Sequence, residues 1–305
     1  MAKLKANGIE IEYEDHGDPS NPAILLIMGL AAQLTHWPPA FIDALTAQSY
    51  RVIAFDNRDI GLSEKLHAKR APKPTYMAAA RLIGLKRLAP YTLRDMARDA
   101  ASLLKKLDID SAHVVGVSMG GMIGQVLSAE HRARVKSFTA IMSSTNNPRL
   151  PKADPAIVRE IFATRTRPRT RDELIDRTVG IWDMIGTKNG GNDPALFREK
   201  IAAAVDRCTY PAGIRRQIAA IIATGDLRSF SKKVTAPTLV IHGTEDPLVP
   251  FKGGLDIAAS IPNARAELID GMGHDLPPVH LDRIIDLVAD HVASAEEKAV
   301  SEKAA

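Results

Sequence analysis

The sequence predicts an α/β fold: a mostly parallel, eight-stranded sheet with helices on both faces and a helical insertion. Three observations lead there. Short β-branched or aliphatic runs alternate with longer amphipathic stretches, as sheet strands and covering helices do. Most of these runs are apolar throughout, the pattern of strands buried on both faces. Between Ser143 and about Lys232 the rhythm gives way to Pro-punctuated helical segments with no convincing strand.

In chain order, the opening KLKANGIEIEYEDHG alternates apolar and polar residues around Asn7-Gly8, so it reads as an antiparallel hairpin at one sheet edge. Interior strands follow at 23–28, 50–55, 113–117, 135–142 and 238–242, with one more at 264–269. The domain plan is therefore a core over 1–144, a helical cap over 145–232, a second core part over 233–293 and a flexible tail over 294–305. In the cap, Thr170 and Glu173 have capping-box spacing at a helix start. The final SAEEKAVSEKAA is polar enough that fraying is expected.

Composition narrows the function classes. The chain has 305 residues, 45% hydrophobic and 25% charged, enough to bury a sizeable core. Forty Lys+Arg against 36 Asp+Glu leave a net charge of only +4, too mild to imply nucleic acid. One cysteine, Cys208, excludes an internal disulfide framework and fits a reducing compartment. The opening lacks an apolar signal-peptide core and no run is long enough to span a bilayer, so a cytoplasmic protein without stable membrane anchoring is expected. From Lys65 to Arg94 eight basic residues stand with no acidic one, and Arg165, Arg167, Arg169 and Arg171 add a second run. The first reads as a solvated face, with anionic substrates or an anionic membrane surface as the alternative, and no aromatic residues interleave the arginines of the second as single-strand binding requires. With no zinc, Walker or dinucleotide motif, no metal and no cofactor are expected.

The chemistry concentrates at three places. A strand ending at Val117 runs into Gly116-Val117-Ser118-Met119-Gly120, the G-x-S-x-G elbow that puts a serine on a strained strand-to-helix turn. Fifteen serines and 20 glycines in 305 residues give about 0.06 such matches by chance, so the motif marks Ser118 as a nucleophile. A serine hydroxyl needs a base, and the base needs an orienting acid. Of nine histidines, His274 sits in the glycine-rich GMGHD just after a strand, at the sheet edge where such folds carry their sites. Glu245 and Asp246 compete for the acid. Asp246 is preferred because its shorter side chain, immediately before Pro247, has a backbone held extended.

The order Ser118, Asp246, His274 completes a resemblance to the α/β-hydrolase-fold serine hydrolases, extending over residues 8–292 and nearest to the aclacinomycin methylesterase-like esterases. Ile27-Met28-Gly29-Leu30 resembles the family's oxyanion loop, and Asp56-Asn57-Arg58-Asp59-Ile60-Gly61-Leu62-Ser63 its fourth-strand loop. The family usually has His where this chain has Met28, and glycine where it has Asp59. The resemblance implies an oxyanion hole made by the backbone N–H groups of Leu30 and Met119. Asp56, Arg58 and Gly61 read as loop architecture, while Met28, Trp37, Trp182 and Tyr210 are candidates to line a substrate pocket. The expected activity is hydrolysis of small to medium carboxylic esters, by a monomer or homodimer. Cofactor-free perhydrolase or haloperoxidase chemistry is the enzymatic alternative, and a small-molecule receptor with a slow triad the second.

Overall fold

The computed structural model describes all residues except 69, 73–75, 77–88, 162–167, 169 and 305; in the last helix the side chains of 299–300 and 302–304 also stand outside the description. Lys69, Lys73, Arg81, Lys86 and Arg87 of the first basic run, and Arg165, Arg167 and Arg169 of the second, therefore lie outside the described residues.

Eight strands, β1 (Ala2–Ala6), β2 (Ile9–His16), β3 (Ala23–Ile27), β4 (Arg51–Phe55), β5 (Ala112–Val117), β6 (Val135–Ile141), β7 (Thr238–Gly243) and β8 (Arg265–Ile269), form one sheet in the order β1-β2-β4-β3-β5-β6-β7-β8. The expected hairpin is the antiparallel edge: β1 pairs with β2 through Asn7 and Gly8, both at positive φ, and β2 pairs antiparallel with β4. All other pairings are parallel.

Alternation along each strand distributes the core between two layers. Leu25, Ile27, Ile53, Phe55 and Val114 face helices α2 (Leu93–Lys106) and α3 (Met119–Glu130), whereas Ile24, Leu26, Val52, Ala54 and Val115 face α1 (Pro39–Ala47) and the last helix. Between β6 and β7, the described regular elements are all helices: α4 (Pro155–Ile161), α5 (Arg171–Ile185), α6 (Pro194–Arg207), α7 (Pro211–Thr224) and the short α8 (Arg228–Ser231). Thr170 caps α5 by accepting the Glu173 N–H at 3.2 Å. After β7 come α9 (Lys252–Ser260) and, after β8, α10 (Pro278–Ala304).

Residues 294–304 continue α10; Ala295 packs inward, and Glu296 accepts hydrogen bonds from His113 at 2.7 Å and Lys136 at 2.6 Å. The polar composition conceals a carboxylate that serves two groups of the sheet. Among the described residues no helix is long and apolar enough to cross a membrane.

Candidate active site

Parallel strands end together, so the turns after β3, β5, β7 and β8 converge at one carboxyl edge. After β5, Ser118 takes φ 54° and ψ −118°, a left-handed backbone that an L-residue holds only under constraint. The constraint is visible: Ser118 N–H donates to the Ile141 carbonyl at 2.9 Å, and its own carbonyl accepts from Ser143 Oγ at 2.7 Å. A Cβ at Gly116 would overlap the Gly120 carbonyl, and one at Gly120 the Ile27 carbonyl, so the elbow's glycines are required by close approach.

After β7, Asp246 is buried and Glu245 exposed. Asp246 Oδ1 accepts the backbone N–H of Leu248 at 2.9 Å and of Val249 at 2.8 Å. Its Oδ2 lies 2.6 Å from His274 Nδ1, and His274 Nε2 lies 3.1 Å from Ser118 Oγ. Burial pushes the Asp246 carboxyl up, but the charge of His274 and hydrogen bonds from His242 and His274 outweigh it and hold the group well below the usual carboxylate range. A carboxylate only accepts, so His274 Nδ1 carries the proton and Nε2 is left to accept from the serine hydroxyl.

The loop carrying His274 is braced from the helical insertion. His274 N–H donates to the Ile185 carbonyl at 2.7 Å, Gly273 N–H to Thr187 Oγ1 at 2.9 Å, and Thr187 in turn donates to Asp275. A Cβ at Gly273 would come within 2.7 Å of the Ile185 carbonyl, so the glycine lets the insertion sit directly on the loop.

After β3, a Cβ on Gly29 would lie 3.1 Å from Ser118 Cβ, which brings the Met28–Leu30 loop against Ser118. Met119 is the first residue of α3, so its N–H has no acceptor within the helix. Where the family's His is replaced by Met28, the loop is held by Asn57 Nδ2 on the Met28 carbonyl at 2.9 Å and by Asp56 Oδ1 on Leu34 N–H at 2.8 Å.

Met28 and Trp37 belong to the core layer beneath the loop, 4% and 2% exposed, where the Trp37 indole stacks on Phe41 at 5.2 Å. Trp182 stacks on His36 and lines a 390 Å³ cleft with Phe197, Gly186 and Asp275, beside the His274 loop. The Tyr210 hydroxyl bonds His67 and Arg216, each at 3.0 Å.

Some partners were not anticipated. His242, within β7, has Nε2 3.3 Å from Asp246 Oδ2 and 2.7 Å from the Val249 carbonyl. Its i, i+4 spacing to Asp246 was the only signal. The loop residues Asp56, Asp59 and Arg58 have long-range partners: Arg207 on Asp56 at 2.7 Å, Arg216 on Asp59 at 2.8 and 2.7 Å, and Arg58 on Asp99 at 2.6 Å. Among the described residues, no cluster of three His, Cys, Asp or Glu is arranged to hold a metal ion.

Residues 22–281 match the alpha/beta hydrolase fold family, and the chain belongs to it. Within that class it is similar to the rhodomycin D methylesterase DnrP of Streptomyces peucetius, 26% identical over 300 residues that cover 92% of this chain and 94% of that one. The fold is shared with the enol-lactonase from Burkholderia xenovorans LB400, at TM-score 0.72 and 23% identity over 96% of this chain and 100% of the other. It is shared also with a thermophilic esterase from Thermogutta terrifontis, at TM-score 0.73 and 20% identity over 97% and 99%.

Proposed function

We propose that this chain is a serine hydrolase of carboxylic esters, with Ser118 as nucleophile, His274 as general base and then acid, and Asp246 as the group that orients the imidazole. The observation that carries the reading is the hydrogen-bonded line from Asp246 Oδ2 through both nitrogens of His274 to Ser118 Oγ, at 2.6 and 3.1 Å. Ser118 Oγ attacks the ester carbonyl carbon while His274 Nε2 takes its proton, and Asp246 stabilises the imidazolium that forms. The N–H groups of Leu30 and Met119 receive the oxyanion; each prealigned donor of this kind is worth about 10²- to 10³-fold in rate. The tetrahedral adduct collapses as Nε2–H protonates the leaving alcohol, and water repeats the sequence on the acyl-enzyme. Every proton and bond is accounted for by these side chains and water, so the proposed cycle uses no cofactor.

The substrate we assign is a small-molecule ester, with residues 145–232 as the cap over the reacting edge. The methylesterase relative supports including methyl esters of larger acids. The reading includes no nucleic acid, and a monomer or homodimer. The test is turnover of a panel of soluble esters by wild type and Ser118→Ala, with fluorophosphonate labelling mapped by mass spectrometry and peracetic acid formation measured alongside. Loss of roughly 10³-fold or more in Ser118→Ala, with the label on Ser118, is expected. Near wild-type turnover in that variant ends the reading, and peracid formation exceeding ester turnover replaces it with perhydrolysis.

A further inference from the structure

The turn that follows β3 is held from outside the core. Gly29 to Ala32 closes with an Ala32 N–H to Gly29 carbonyl bond of 3.4 Å, a long contact that by itself holds the turn loosely. Its third residue, Ala31, has φ +63°, the conformation for which turns of this shape ordinarily use glycine. An alanine there is strained and needs a partner to keep the peptide in place. That partner is Gln217 of α7, a fully buried side chain whose Oε1 accepts the Ala31 N–H at 3.1 Å. Its Nε2 donates to the Arg58 carbonyl at 3.0 Å. Only one orientation of the amide satisfies an N–H and a C=O at once, so the side chain is locked.

The rest of this segment is also gripped by the insertion. Gln33 Nε2 donates to the Ala204 carbonyl at 2.6 Å, and Arg207 Nη1 donates to Gln33 Oε1 at 2.7 Å. Next to Gln217, Arg216 anchors the same helix on Asp59 with two hydrogen bonds. The anchors differ in what they touch: Arg216 grips the fourth-strand loop, whereas Gln217 reaches the peptide directly after Leu30.

We infer that Gln217 is a positioning residue for the oxyanion hole: by holding the Ala31 N–H it fixes the turn that presents the Leu30 N–H, so the helical insertion helps set transition-state stabilisation as well as roofing the site. The inference rests on the serine-hydrolase reading above. Its consequence is specific. Losing the Gln217 acceptor lets the strained Ala31 relax, and Leu30, which shares a peptide with it, loses its direction. The ester still enters and binds, because nothing of the insertion's packing has changed, but the developing oxyanion finds one donor misaligned.

The test compares Gln217→Met, which keeps the volume and removes both bonds, with Gln217→Glu, which keeps an acceptor for Ala31, using a soluble p-nitrophenyl ester and the full chain. Expected for Gln217→Met is a fall in kcat of about 10- to 100-fold with KM within about threefold, and the same factor lost in affinity for a boronic acid that forms a tetrahedral adduct with Ser118. Gln217→Glu should regain most of kcat. Arg216→Met, which loosens the same helix without touching Ala31, separates anchoring from positioning: it should lower the unfolding midpoint while leaving kcat within about threefold. Wild-type kcat and boronic-acid affinity in Gln217→Met overturn the inference, as does an Arg216→Met loss of kcat matching that of Gln217→Met. Ser118→Ala in the same assay keeps the two levels apart, since its retained activity defeats the serine-hydrolase reading itself, whereas its inactivity beside a fully active Gln217→Met defeats only the role of Gln217.

Discussion

His242 Nε2 lies 3.3 Å from Asp246 Oδ2, on the same carboxylate oxygen that faces His274 Nδ1. The Val249 carbonyl, 2.7 Å from the same nitrogen, can only accept, so Nε2 carries a proton and shares it between carbonyl and carboxylate. His242 has no exposed side-chain surface, and its Nδ1 meets no partner among the described residues. The ring therefore bonds only the Asp246 carboxylate and the turn behind it among the described residues. Its removal should slow catalysis without weakening substrate binding. For His242→Leu we expect kcat to fall by about tenfold, the worth of one hydrogen bond to a charged group, with KM little changed. His242→Gln, whose amide can occupy the Nε2 position, should recover most of it. Equal kcat in wild type and His242→Leu would show the contact to be inert.

The neighbouring carboxylates should separate cleanly. Asp246 is buried with His274 Nδ1 on one oxygen and two backbone N–H groups on the other, while Glu245 is exposed. Asp246→Asn presents an amide where the imidazole N–H needs an acceptor, which favours the wrong tautomer, and should cost about 10³- to 10⁴-fold in kcat. Glu245→Gln should stay within about twofold. Steady-state kinetics on one soluble ester decides, and a reversed ranking would move the orienting role to Glu245.

What was legible in the sequence follows from what is local. The G-x-S-x-G elbow, the GMGHD loop and the Asn7-Gly8 hairpin each place their whole physical reason within a few residues, so the three-residue line and the sheet edge could be read in order. Apolar runs such as AILLI likewise announce burial on both faces. The contacts that brace the site are long-range in sequence: Gln217 to Ala31 spans 186 residues and Arg216 to Asp59 spans 157. No local pattern marks a glutamine in a helix between β6 and β7 as the partner of a turn after β3. Met28 and Trp37 follow β3 closely, but proximity in sequence says nothing about which side of the sheet a side chain takes, and both lie in the layer that faces α1 and α10. At the polar end of the chain the contacts are again long-range, since Glu296 bonds His113, 183 residues away, and Lys136, 160 residues away.

Asp59 and Arg216 form a buried ion pair, 0% and 3% exposed at the side chain, with Leu66 N–H adding a third bond to the carboxylate. Asp59 sits at φ +70°, so this chain keeps a strained aspartate where its family usually has glycine. Burial pushes the Asp59 carboxyl up, and the bonds from Arg216 and Leu66 bring it below its ordinary range. Arg216→Met leaves that carboxylate buried without its main partner and should destabilise by about 3–5 kcal/mol in urea unfolding. The double variant Asp59→Gly with Arg216→Met removes the orphaned charge and the strain together, and should recover at least half of the loss. A double variant less stable than Arg216→Met alone would show that the pair is not the source of the effect.

His291 gives the protein an acid limit independent of its chemistry. The ring is buried, 6% exposed, with Nε2–H donating to the Pro237 carbonyl at 3.2 Å. Burial, with Arg265 nearby, brings its pKa down to about 4, so the folded protein keeps the ring neutral. The unfolded chain takes up the proton near the ordinary value of about 6.5, which sets the sign: stability is unaffected above that pH and is lost as pH falls from there towards 4. The full window corresponds to about 3 kcal/mol, of which about 2 kcal/mol is gone by pH 5. His291→Gln keeps a donor for Pro237 and has nothing to titrate, so its unfolding free energy should change less between pH 7.5 and 5 by that amount. His36, also held down to about 4, contributes the same slope to both proteins and cancels in the comparison. Urea unfolding at pH 7.5, 6.5, 5.5 and 5.0 checks this, and parallel pH profiles for wild type and His291→Gln would mean that His291 is charged in the folded state or open to water in it.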